Sequence, residues 1–140
     1  MGNKAIEDAA ITWVMEIERA AGRDPQDTRH SRSAADIESS GRVIEVKAAG
    51  TSSRGYDLWL EPRQVAEAQR NPDFYVYLVE NVRQGDPAFF TVKVFGGDRL
   101  RRLVARARER HYFEVPVPVA EYDAAPTALD REALEPDGRQ

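Results

Sequence analysis

The stretch ADIESSGRVIEVKA, residues 35–48, decides how this chain is read. Alternating apolar and polar residues flank Ser40-Gly41, a pair suited to the two-residue loop of a hairpin. With that loop, residues facing each other across the ladder have numbers that sum to 81. Ile37 then faces Ile44 on one side of the sheet, and Asp36 faces Glu45 on the other. Two carboxylates opposed across a strand pair repel, at a cost of a few tenths to about 1 kcal/mol. A divalent cation held between them reverses that sign. Lys47, two residues beyond Glu45, projects from the same strand face. Asp, then Glu-x-Lys, on one sheet face is the pattern of a metal-dependent phosphodiesterase site. The competing reading is a solvent-facing hairpin whose Lys47 pairs diagonally with a carboxylate.

Composition sets the frame. The chain has 140 residues, 41% of them apolar and 31% charged, which suits one packed domain with a polar surface. Its longest apolar run, Phe74 to Val79, is strand-sized and far short of a membrane span. The absence of cysteine excludes disulfides, zinc-thiolate sites and cysteine nucleophiles. Met1-Gly2-Asn3-Lys4 lacks a secretory apolar region and a myristoylation signal, so a cytoplasmic protein is expected. The net charge of −4 argues against indiscriminate coating of nucleic acid, but it averages over an uneven chain, since residues 99–110 alone carry +5. Arginine supplies 17 of the 20 cationic side chains. A lysine kept at position 47 suits a site that needs a compact, tunable ammonium.

Outward from the hairpin, Asn3 is expected to cap a helix running to about Ala21, stopped by Gly22 and Pro25. Its apolar stripe is Ile6, Ala10, Trp13, Val14 and Ile17, with Glu7 on the stripe's edge. A short strand is expected near Thr28–His30. After the hairpin come a flexible loop, Gly50–Gly55, a strand over Tyr56–Leu60, and a helix from Pro62 to about Arg70 that Asn71-Pro72 stops. Tyr56 and Trp59 are assigned to the core, with base stacking as their functional alternative. Phe74–Val79 reads as a buried strand and Phe89–Phe95 as an alternating one. Gly96-Gly97-Asp98 opens a helix to about Arg110, whose arginines are a solvated face or a track for backbone phosphates. Tyr112–Val119, with Pro116 and Pro118, is expected as an edge strand or extended arm. The result is an α/β (α+β) fold: a mixed sheet in α-β-β-β-α-β core order, flanked by helices, with Tyr56–Leu60, helix and Phe74–Val79 as a parallel crossover. A single domain over 1–119 and a mobile tail over 120–140 are expected.

This order, with Glu7, Asp36, Glu45 and Lys47 at its four usual positions, resembles the PD-(D/E)XK nuclease superfamily. The string Val43-Ile44-Glu45-Val46-Lys47-Ala48-Ala49, together with Gln64-Val65-Ala66-Glu67-Ala68 and Phe74 to Val82, is more narrowly similar to the protein NO VEIN C-terminal domain family. The resemblance covers about residues 3–95. The proline that often precedes the Asp is Ala35 here, and a helix position that is often Glu is Gln64. The resemblance implies a Mg²⁺- or Mn²⁺-dependent endonuclease acting on DNA, in restriction or phage defence, as a homodimer or with a partner protein of a defence system. It implies Asp36, Glu45 and the Val46 carbonyl as metal ligands, and Lys47 as the group that orients the attacking water or stabilises the pentavalent state. Glu7 would act behind the ligands or hold a second ion, and Gln64 would reach the water or a phosphate. The alternative is a catalytically inactive nuclease-like domain that binds nucleic acid or a protein.

Overall fold

In the computed structural model, which describes residues 2–128, Ser40 and Gly41 both turn through the left-handed region, at φ +47° and +94°. That is the backbone a two-residue hairpin loop requires. The ladder pairs Ile37 with Ile44, Glu38 with Val43 and Ser39 with Arg42, the register expected from the loop.

The hairpin strands are β2 (Ile37–Ser39) and β3 (Arg42–Ala48), in a five-stranded sheet with β1 (Pro25–Asp27), β4 (Phe74–Glu80) and β5 (Thr91–Gly96). The strands lie side by side in chain order, and every neighbouring pair is antiparallel except β3 and β4, which are parallel. The mixed sheet flanked by helices is the architecture expected, but three strand assignments change. The first strand is Pro25–Asp27 rather than Thr28–His30, and the last begins at Thr91 rather than Phe89. Tyr56–Leu60 is not a strand. It is extended, with Leu58 and Leu60 packed inward, but β3 and β4 pair directly and leave its backbone without a ladder. The parallel crossover therefore runs from β3 through α2 (Pro62–Arg70) to β4.

Helix α1 (Asn3–Ala20) starts one residue earlier than expected: Gly2 is its cap, and Asn3 is its first helical residue. Its buried stripe is Ile6, Ala10, Ile11, Val14 and Glu18. The first four pack on Ile37, Ile44, Val46, Tyr77 and Val79, so α1 covers one sheet face. Burying each of its large aliphatic side chains contributes roughly 1.5–3 kcal/mol. Trp13 and Ile17, expected in the stripe, sit on its half-buried flanks. The other face carries Phe74, Val76 and Ala35 against Ala68 of α2 and Leu100 and Val104 of α3 (Gly97–Val104). Helix α3 stops at Val104 instead of running to Arg110. Leu100 and Val104 reach the core, Leu103 remains 43% exposed, and no apolar anchor extends the helix further.

At Glu18 the stripe of α1 ends on a charge. The carboxylate is fully buried, accepts two hydrogen bonds from the Arg23 guanidinium at 2.5 and 2.8 Å, and accepts another from the Tyr77 hydroxyl at 2.9 Å. The Tyr77 hydroxyl in turn accepts from Arg42, whose guanidinium lies 4.3 Å from the Tyr75 ring centre. Burial alone would raise the Glu18 pKa, but Arg23 and Tyr77 hold it below its ordinary value. The Tyr75 ring also covers Gly96, its partner in β5: a Cβ at Gly96 would fall 2.4 Å from two ring carbons. Gly96→Ala is expected to cost about 1–3 kcal/mol by overpacking, read as a lower urea midpoint with an unchanged slope.

The chain divides after Ala107 into two compact units, Met1–Ala107 and Arg108–Gln140. The described part of the second contains the short helix α4 (Val119–Ala124), while Tyr112–Pro118 forms no strand and exposes Phe113 and Val115. The tail expected over 120–140 thus opens inside a helix, and its residues from 129 onward lie outside the described residues.

Candidate active site

The site forms where β2 stops. Its ladder with β3 begins at Ile37–Ile44, so β3 from Glu45 to Ala48 has no strand on that edge. Asp36, the residue just before β2, turns its carboxylate into the gap and accepts the Val46 N–H at 2.9 Å. Its backbone is fixed from several directions. The Asp36 N–H donates to the Ile44 carbonyl at 3.1 Å, and its own carbonyl accepts the Thr28 N–H at 2.8 Å. Thr28 Oγ1 donates to the Ala35 carbonyl at 3.0 Å, and the Gln64 amide donates to the Ala34 carbonyl at 3.3 Å.

Glu45 lies beside Asp36 and is 7% exposed. Burial is the largest influence on its carboxyl, the Asp36 charge adds to it, and Lys47 only partly offsets both, so its pKa is pushed up to about 7. Lys47 Nζ sits 3.1 Å from Glu45 Oε2. The structure therefore brings Asp36, Glu45 and Lys47 together, and it does so off the solvent face. A surface hairpin with decorative charges would leave Glu45 exposed and its pKa ordinary.

A pocket of about 410 Å³ opens at this gap. It is lined by Asp36, Glu45, Val46, Lys47 and Ala48 of the hairpin, by Asn3, Ile6 and Glu7 of α1, and by Gly50 and Arg83. Glu7 shares the pocket but not the carboxylate cluster. Helix α1 packs on the face of Ile44 and Val46, whereas Glu45 and Lys47 project from the opposite face, so Glu7 approaches from the other side of the sheet. It is exposed, 3.8 Å from the Arg29 guanidinium, which is itself held by Asp8 and Asp27. Among the described residues no three His, Asp or Glu side chains converge as a ready metal cluster.

Gln64 stands outside the pocket. Its Oε1 accepts the Glu61 N–H at 3.1 Å in a capping box at the start of α2, and its Nε2 tethers Ala34. It positions the approach to Asp36 rather than reaching the pocket. Tyr56 and Trp59, assigned to the core from sequence, are 78% and 81% exposed. A second pocket, of about 330 Å³ and lined by Trp13 and Phe90, contains none of the candidate residues.

The donor set suits a hard divalent cation. Mg²⁺ needs only one or two carboxylates and keeps several waters, so two adjoining carboxylates suffice. The Val46 carbonyl leaves β3 on the same edge as its N–H, the edge that faces Asp36, and is oriented as a further oxygen. The Glu45 carboxyl, buried beside the Asp36 charge, stays raised because Lys47 offsets only part of both influences.

Arg83 is the pocket residue that sequence reasoning missed. Its position depends on the parallel register of β3 and β4, which pairs Lys47 with Leu78 and brings the ends of both strands to one edge. Without that register, an arginine after β4 has no visible relation to the hairpin.

No curated protein and no solved structure matches the chain. The profile of one family does, over residues 6–92, which takes in most of α1, the hairpin with Asp36, Glu45 and Lys47, the crossover and Arg83. That span is more than half of the sequence, and the chain belongs to the family described as Protein NO VEIN, C-terminal.

Proposed function

We propose that this protein is a Mg²⁺- or Mn²⁺-dependent nuclease of the PD-(D/E)XK type that hydrolyses phosphodiester bonds in DNA, in the cytoplasm and in a restriction or phage-defence setting. The observation that carries this reading is the buried Glu45 carboxyl, crowded by the half-buried Asp36 and with Lys47 at 3.1 Å, in a solvent-open pocket. The α-β-β-β-α-β order of the fold, with the acidic residue before the second strand and Glu-x-Lys on the third, supports it further.

In this reading Asp36, Glu45 and the Val46 carbonyl hold the ion. The bound ion would neutralise charge on the phosphoryl oxygens and supply an activated water. Lys47, released from Glu45 once that carboxylate serves the ion, donates to the oxygens on which charge builds. Water forms the new P–O bond as the bond to the leaving oxygen breaks, and Asp36 keeps its place through its two backbone hydrogen bonds and the Val46 N–H that its carboxylate accepts. Glu7 acts from the pocket rim. One domain of this size offers little surface for reading sequence, so selectivity would come from a second copy or a partner chain.

The deciding experiment is cleavage of labelled DNA by wild-type, Asp36→Ala and Lys47→Ala proteins across a Mg²⁺ and Mn²⁺ titration, with EDTA as the blank. Metal-dependent cleavage by the wild type, reduced at least about a hundredfold in both variants, is the expected result. Equal cleavage by all three proteins excludes the mechanism. The lack of a preformed three-ligand cluster among the described residues favours one rival, a nuclease-like domain that binds without cutting. That rival predicts no cleavage, with DNA binding that survives Asp36→Ala.

A further inference from the structure

The pocket holds two cationic side chains in very different states. Lys47 is engaged by Glu45 at 3.1 Å. Arg83, an exposed residue lining the same pocket, makes no side-chain hydrogen bond and no ion pair among the described residues. Its main chain is nonetheless fixed. The Arg83 N–H donates to the Gly50 carbonyl at 3.1 Å, the Val82 N–H donates to the Ala49 carbonyl at 3.1 Å, and the Val82 side chain is fully buried.

The space around the guanidinium is also specific. It lies over Gly50, where a Cβ would fall 2.9 Å from Cζ and 3.0 Å from Nη2. In this position of the guanidinium, a side chain at residue 50 would push its far end aside. An arginine lying over that glycine, in a pocket with three carboxylates yet paired with none of them, has its donors free for an anion from outside. Its planar fork matches two oxygens of one phosphate.

We propose that Arg83 is the substrate-binding residue that holds a backbone phosphate of the nucleic acid, its guanidinium lying over Gly50 in the pocket it shares with Lys47. The assignment rests on reading the pocket as a phosphodiester site. It names the group that would hold the polyanion against a wall of carboxylates that repels it.

The test is binding of a short fluorescent DNA duplex, followed by anisotropy against salt, with Ca²⁺ in place of Mg²⁺ to suppress turnover. Arg83→Ala is expected to bind roughly tenfold or more weakly. Its log-affinity slope against log salt should fall by about 0.9, the loss of one phosphate contact. Arg83→Lys should restore the slope but not the full affinity, because an ammonium cannot make the two-pronged contact. Gly50→Ala keeps the charge and moves only the far end of a flexible side chain, so it should weaken binding while leaving the urea midpoint in place. Manganese binding should be unchanged in all three variants.

Equal affinity and slope in wild type and Arg83→Ala overturn the proposal, and so does a wild-type protein that binds no DNA. Cleavage measured in parallel separates the two claims. A wild type that binds through Arg83 but never cuts removes the nuclease and leaves the phosphate seat standing.

Discussion

Glu45→Gln is expected to lose cleavage by roughly a hundred- to a thousandfold and, in the same metal-free protein at pH 8, to become more stable by about 2–3 kcal/mol. The two effects have one cause. Burial and the neighbouring Asp36 raise the folded-state pKa of Glu45 from 4.5 to about 7. A carboxyl raised on folding favours the fold most below its unfolded pKa, and that advantage is lost as pH rises through the folded value. Between about pH 4.5 and pH 7 the wild type should therefore lose stability that the neutral amide keeps. Adding Mn²⁺ reverses the ranking. The wild type gains stability in proportion to ion occupancy, whereas the variant, short of one ligand, gains little. Urea unfolding at pH 5 and pH 8, with and without Mn²⁺, gives the whole pattern. A variant no more stable than wild type at pH 8 would mean that the Asp36–Glu45 crowding carries no energetic strain.

Glu18→Ala is expected to have the largest effect on folding, about 3–5 kcal/mol, a large part of the stability of a domain this small. The carboxylate itself is not the main contribution. Its removal leaves the buried Tyr77 hydroxyl without its acceptor and the half-buried Arg23 guanidinium without its ion pair. The pH dependence has the opposite sign to that of Glu45. The folded pKa of Glu18 lies below 4.5, so its contribution is complete above that pH and fades as acid titrates it in the native state. Thermal melts of wild type and Glu18→Ala from pH 7 down to pH 3 should converge at the acid end. A gap that stays constant would place the effect in packing rather than charge.

The two glutamates also show what the sequence could and could not reveal. Glu45 was legible because a two-residue loop fixes register, and register fixes which side chains share a face. Glu18 was not legible. The helical stripe read from the sequence closes on Ile17, and a buried carboxylate one residue later makes sense only once Tyr77, Arg23 and Arg42 are seen around it. Residues 56–60 misled for a related reason. Leu58 and Leu60 alternate with exposed neighbours as a strand would, but alternation reports a packed surface, not a hydrogen-bonded partner. The arginine-rich segment after Gly97 has good helix formers throughout. Only Leu100 and Val104 find a core, and the helix ends with them. Arg83 required a long-range parallel pairing that no local pattern announces.

The backbone ties that join 49–51 to 81–83 carry one more consequence. Because main-chain bonds hold the ends of β3 and β4 together, the spacing of the two pocket cations does not depend on the segment between Arg54 and Trp59. Glu80 seals that arrangement by accepting the Ser53 N–H at 2.6 Å and the Thr91 hydroxyl at 3.1 Å. Beyond this clasp the exposed aromatics Tyr56 and Trp59 can exchange across descendants of the same ancestor, while Leu58 stays packed inward. The pocket and that outer surface can then diverge at separate rates.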